Sequence, residues 1–113
     1  MRIAAREALE IWRGALVETV RRSGPDLTAR QLAIMLSVYL TPPPHTVRGL
    51  ARDLKLPKPA VTRALDKLEE LTLLRRKTDP DDKRSVLVLR SVRGSVYLSE
   101  FGDVIVRTAR AIP

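Results

Sequence analysis

A chain of 113 residues with 44% hydrophobic content can bury one core and is too short for two ordinary domains, so a single domain spanning 1–113 is expected. Its 21 Lys and Arg against 13 Asp and Glu give a net charge of +8, which favours a polyanionic partner, while the absence of cysteine excludes disulfides, thiolate metal sites and thiol redox sensing. The single His45 cannot build a metal site alone, and no apolar run approaches the ~20 residues of a membrane span, so no metal, no cofactor and no membrane partner are expected and a cytoplasmic protein is the default.

Residues 2–22 place Ala5, Leu9, Trp12, Leu16 and Val20 on one helical stripe and Ala4, Ala8, Ile11 and Ala15 on its neighbour, which predicts a helix. Its apolar face is wider than the ~100° that packing against a single core requires, so a second packing partner is expected. Ser23-Gly24-Pro25 should stop it, with glycine in the left-handed position and proline unable to continue. Thr28 and Gln31 have the spacing of a capping box, and Leu27 and Leu32 stand at hydrophobic-staple positions, predicting a second helix over 29–40. Thr41-Pro42-Pro43-Pro44 closes that helix with a stiff connector; a polyproline ligand is the lesser reading of its three prolines.

Thr46 can cap a short helix over 47–54, and a turn at 55–57 leads to a longer helix over 59–70 with proline at its first position. Val61, Ala64, Leu65 and Leu68 form the buried face of that longer helix, leaving Lys58, Thr62, Arg63, Asp66 and Glu69 outside. The periodicity then changes. An apolar and basic run over 73–77, a polar turn over 78–83 and a β-favouring run over 85–89 make a hairpin with a charged tip. Ser91 can cap a last helix carrying Val96, Tyr97, Phe101, Val104, Ile105 and Thr108, in which Gly94 and Gly102 either weaken the helix or permit close contact. Residues 72–93 hold seven basic and three acidic side chains, half of the net charge.

Two short helices joined by a tight turn and followed at once by a basic hairpin are the layout of a winged helix-turn-helix, so the expected fold is mainly α with a small β-hairpin wing, flanked by N- and C-terminal helices. The second helix of the pair fits the major groove of duplex DNA, with Lys58, Ala60, Thr62, Arg63 and Lys67 facing bases. Thr46, Arg48, Arg75, Arg76 and Lys77 are then candidates for phosphate contacts, with the alternative that one of Arg75, Arg76 and Lys77 only flanks the strand. The plainer reading is that Lys58, Arg63 and Asp66 are the solvated face of an amphipathic helix, and that Asp79 and Asp81 are ordinary turn residues.

Leu27-Thr28-Ala29-Arg30-Gln31, Leu50-Ala51, the run Val61-Thr62-Arg63-Ala64-Leu65-Asp66-Lys67-Leu68-Glu69 and Asp79-Pro80-Asp81-Asp82-Lys83-Arg84-Ser85 resemble, in order and spacing, successive motifs of the MarR family of bacterial transcriptional regulators. The resemblance implies a wing in which Arg84 reaches into the minor groove, Asp82 helps to hold it and Lys83 lies alongside. It also implies a homodimer built from N- and C-terminal helices, here through Leu9, Trp12, Leu16, Phe101 and Ile105, and a small aromatic effector as a further partner. The sequence departs from the pattern in three places: Leu71-Thr72-Leu73 stands where the family has glycine, Arg90-Ser91 replaces a Leu-Thr pair, and family members usually continue past the point where this chain ends.

The function expected is a sequence-specific double-stranded DNA-binding regulator, a repressor, on a pseudo-palindromic operator. A winged-helix protein-interaction module without specific DNA binding stays open beside it, because fold does not fix function. No residue set assembles a nucleophile, a base and an oxyanion site, so an enzyme is not expected.

Overall fold

The computed structural model describes residues 2–113. Among them are five helices, α1 (Ala5–Arg21), α2 (Ala29–Leu40), α3 (Val47–Leu54), α4 (Lys58–Glu70) and α5 (Val92–Arg110), and one antiparallel hairpin of β1 (Leu74–Asp79) and β2 (Asp82–Arg90). This is the mainly α fold with a small β wing that the sequence predicts. The residues group into two compact units, 27–95 and 2–26 with 96–113.

In the larger unit the starts of α2 and α3 are each fixed by a local side chain. Thr28 Oγ1 accepts from the Gln31 amide at 3.1 Å while Gln31 Oε1 accepts from the Thr28 amide at 2.8 Å, closing the capping box of α2. Thr46 Oγ1 accepts from the Gly49 amide at 2.9 Å and caps α3. The α3–α4 turn reverses through Lys55, whose φ of 54° is left-handed. Lys58 opens α4, so Pro59 is its second residue, one place later than the sequence suggests; both places lack an intrahelical partner for the amide. Ile34, Met35 and Val38 of α2 are buried in this unit, as are Val47 and Leu50 of α3, Val61, Ala64, Leu65 and Leu68 of α4, and Leu73, Leu74 and Val88.

The hairpin is longer and its tip tighter than the sequence implies. Asp79 pairs with Asp82 across a two-residue tip, Pro80-Asp81. The Asp79 carboxylate accepts from the Asp81 amide at 2.9 Å, the turn chemistry expected of it, and the Asp82 carboxylate accepts from the Arg84 amide at 3.1 Å, so both acids tie down the strand ends. Pairing is regular from Leu74 opposite Arg90 to Thr78 opposite Val86, then jumps to Asp79 opposite Asp82. Lys83, Arg84 and Ser85 are thereby left without partners on β1. On its other edge β2 takes a short bridge, Thr46 opposite Leu87, with the Val88 amide donating to the His45 carbonyl at 2.8 Å.

The junctions after α4 and before α5 are tied together. The Tyr39 hydroxyl donates to the Leu73 carbonyl at 2.8 Å and accepts from the Ser91 amide at 2.9 Å. Arg90 donates to the Val38 and Thr41 carbonyls at 2.9 and 3.1 Å, satisfying the C-terminal end of α2 from across the fold. Ser91 Oγ accepts from the Gly94 amide at 3.0 Å, which makes it the expected cap of α5. Thr72, where the resembled family has glycine, holds a φ of 59°. Left-handed backbone costs an L-residue roughly 1–2 kcal/mol, and a β-branched one most. Thr72→Gly is therefore expected to stabilise the protein by about 1 kcal/mol after the added chain entropy of glycine is subtracted, read as a melting temperature about 4 °C higher. An unchanged or lower melting temperature would show that the Thr72 hydroxyl, 2.6 Å from the Leu71 carbonyl, outweighs the backbone penalty.

In the smaller unit α1 begins at Ala5, three residues after the expected start, where the Glu7 carboxylate accepts from the Ala4 amide at 3.0 Å. It ends with Arg22 extended, and no described glycine has a positive φ. The stop at Ser23-Gly24-Pro25 thus does not use a left-handed glycine; proline disfavours helical backbone at the residue before it. Ala15, Phe101 and Val104 are buried, and the Trp12 ring meets Phe101 edge-on with centroids 6.2 Å apart. Glu18 accepts from Arg107 at 2.6 Å. No described helix is long and apolar enough to cross a membrane.

Candidate nucleic-acid interface

The outward side of α4 carries Lys58, Arg63 and Lys67 exposed, with Ala60 and Thr62 half-buried beside them. Val61, Ala64, Leu65 and Leu68 of the same helix are buried, so packing fixes which face is presented. Between the first turns of α3 and α4 and the wing lies a groove of about 130 Å³, into which Arg48, Lys58, Thr62, Arg76, Arg84 and Ser85 converge. Residues from three separate elements thereby form one basic surface.

Arg84 stands in the middle of the unpaired stretch of β2. A bulge bends its strand and re-aims the side chain, and here the Arg84 side chain is 91% exposed. Its Nε lies 3.7 Å from Asp82 Oδ1, the same carboxylate oxygen that takes the Arg84 amide. One aspartate thus holds the Arg84 backbone and stays near the guanidinium without saturating its donors. Lys83, next to it, is exposed.

The phosphate candidates divide. Arg48, Arg75 and Lys77 are exposed, and the Thr46 hydroxyl, which accepts from the Gly49 amide, keeps its own proton to donate. A second, largely polar hollow of about 150 Å³ runs past Thr46, Arg48 and Arg52 at the start of α3. Arg76 is different. Its guanidinium donates to Glu69 Oε1 at 2.8 and 3.0 Å and to Asp66 Oδ1 at 2.7 Å. The Arg76 hydrogen bond holds the Glu69 carboxyl below its usual range against the smaller opposing effect of burial. Burial by itself would lower the Arg76 pKa, and the bonds to Glu69 and Asp66 more than reverse it. Of the three basic residues of β1, one of which could be expected only to flank the strand, Arg76 is the one whose charge is taken up by two carboxylates.

The residues expected at a dimer interface also divide. Leu9, Trp12 and Leu16 are exposed on α1 along an open apolar groove of about 600 Å³ rimmed by Arg6, Glu10 and Arg13. Ile105 is half-buried, and Phe101 is a core residue of its own unit, 7% exposed against Trp12. Phe101 and Val104 of that helical stripe are therefore covered inside the chain, while Val96 stays exposed. Sequence reasoning missed Ser85, which lines the basic groove, and the pairing of Arg76 with α4.

Solved structures with this fold are numerous. A point mutant of MepR from S. aureus superposes with a TM-score of 0.75 at 18% identity, over 98% of this chain and 83% of that one. Another MepR point mutant, bound to an oligodeoxyribonucleotide, gives a TM-score of 0.79 at 20% identity, over 93% and 75%. A transcriptional regulator from Thermotoga maritima gives 0.66 at 22% identity, over 93% and 66%. At these identities the likeness establishes the fold. The family follows from the sequence itself: the MarR family model matches residues 27–86, which run from the capping box of α2 through the bulge of the wing. Spanning more than half of the chain, that match makes this protein a member of the MarR family, a family of transcriptional regulators and not of enzymes.

Proposed function

We propose that the chain is a sequence-specific double-stranded DNA-binding transcriptional repressor that occupies a pseudo-palindromic operator as a homodimer. The observation that carries this reading is the convergence of Arg48, Lys58, Thr62 and Arg84 from α3, α4 and the wing onto one surface. An α-helix fits the major groove, and a guanidinium suits the negative potential of a narrow minor groove. In this reading Lys58, Ala60, Thr62, Arg63 and Lys67 face bases, Arg84 enters the flanking minor groove with Lys83 alongside, and Thr46, Arg48, Arg75 and Lys77 take phosphates. Two related structures support it by what they contain, since MepR was solved with DNA and a MepR mutant with an oligodeoxyribonucleotide. The exposed Leu9, Trp12 and Leu16 stripe on α1 supports the dimer, because apolar surface of that extent is stabilised by burial against a second copy.

Titration of genomic duplex fragments, including the protein's own promoter, at two salt concentrations tests the reading. A preferred fragment binding two chains is expected, with affinity that falls steeply as salt rises because each neutralised phosphate releases counterions. Binding no fragment better than random duplex would sink it. Shallow salt dependence would favour an apolar protein interface.

A further inference from the structure

Resting on the DNA-binding reading above, we propose that Arg76, clamped by Asp66 and Glu69, is a positioning residue that fixes the wing against the recognition helix and so sets the distance between the base-reading side chains of α4 and Arg84. It is the second of three consecutive basic residues on β1, and successive strand side chains point to opposite faces. Arg75 and Lys77 are accordingly exposed, whereas the Arg76 side chain is 23% exposed and turned onto α4. Asp66 and Glu69 are three residues apart on α4, hence on one face, so a single guanidinium spans a turn of the helix.

Glu69 does more than pair a charge. Oε1 takes the guanidinium, and Oε2 takes the Arg76 amide at 3.2 Å, so one carboxylate holds both the side chain and the backbone of the same β1 residue. Across the hairpin Arg76 stands opposite Val88, which is buried. The root of the wing is thus anchored to the core from one strand and to α4 from the other. Thr62 precedes Asp66 by four residues on the same helix, so the helix that presents the base-reading face also holds the wing. Two carboxylates against one guanidinium also leave the clamp with a net negative charge, a poor phosphate contact.

Glu69→Gln separates the two roles by the sign of its effect. It would free Arg76 and remove a negative charge, so a phosphate-contacting Arg76 would bind both operator and random duplex more tightly. A positioning role predicts the reverse for the operator, a loss of about tenfold, the size of one lost base-reading contact, with random-duplex affinity unchanged or slightly raised. Asp66→Asn should act in the same direction. Arg76→Lys keeps the charge without the planar fork that bridges two carboxylates, so it should impair operator binding like Glu69→Gln and leave the salt slope unchanged. If lysine instead restores full operator affinity, the clamp is overturned. Amide hydrogen exchange in the free protein decides the matter without DNA. Residues 77–85 should exchange faster in Glu69→Gln than in the parent while the core amides of α4 keep their protection. Unaltered wing exchange overturns the clamp, whereas altered exchange in a protein that prefers no duplex sinks only the DNA-binding reading.

Discussion

Replacing Arg84 by alanine is expected to weaken operator binding roughly ten- to a hundredfold, the ~1–3 kcal/mol of one base-reading contact. The side chain is 91% exposed and makes one loose ion pair at 3.7 Å, so its removal leaves no cavity and no buried unpaired charge. The melting temperature should therefore stay where it is, and the loss should appear in binding alone. It should also be uneven over sequence. An arginine in a narrow minor groove is attracted by the enhanced negative potential of A·T-rich flanks, so the parent should prefer such flanks and Arg84→Ala should not. Titrating two operators that differ only in their flanks measures this directly. A uniform loss on both, with a salt slope shallower by about one, would demote Arg84 to a phosphate contact. Asp82→Asn should fall between parent and Arg84→Ala, because it weakens both the grip on the Arg84 amide and the nearby charge without removing the guanidinium.

How much of this surface could be read in advance depends on the range of the interactions that build it. Thr28, Gln31, Thr46 and Ser91 were all legible as caps, since each acts on an amide three residues away and the sequence displays both partners. The buried face of α4 was legible for a similar reason, its periodicity being a property of the helix alone. Arg76 was not legible by charge, which says only that a cation is present. Its partners lie seven and ten residues earlier, on a different element. A signal was nonetheless available: Arg75, Arg76 and Lys77 on a strand cannot all point one way, and Asp66 with Glu69 offers two carboxylates on one helix face. The bulge at Lys83, Arg84 and Ser85 depends on which pairs form across the hairpin, and alternation along either strand does not reveal a change of register. Phe101 was assigned to a surface because an apolar stripe looks the same whether a helix of its own chain or of another covers it; Trp12 supplies the cover. Arg90, noted only as a departure from a family pattern, turns out to cap α2.

The largest stability loss is expected at Gly94, where Gly94→Ala should destabilise the fold by about 2–4 kcal/mol. Glycine inside a helix normally costs roughly 1 kcal/mol relative to alanine, so an alanine would stabilise an open position. Gly102, in the same helix, is open on the side a Cβ would take, and Gly102→Ala should raise the melting temperature. At Gly94 a Cβ would fall on the Tyr39 hydroxyl and on the Leu73 carbonyl oxygen. Neither group is free to retreat. The hydroxyl donates to that carbonyl at 2.8 Å and accepts from the Ser91 amide at 2.9 Å, while Leu73 is itself buried. Making room therefore requires either moving the start of α5 or giving up hydrogen bonds at the junction of α2, the wing and α5. Thermal unfolding of the two alanine variants should give shifts of opposite sign. Tyr39→Phe removes the hydroxyl and costs stability alone, yet combined with Gly94→Ala it should cost less than the two changes summed, because part of the clash goes with the oxygen. Strict additivity would mean that Tyr39 yields freely, and that Gly94 is glycine for some reason other than the approach of that hydroxyl.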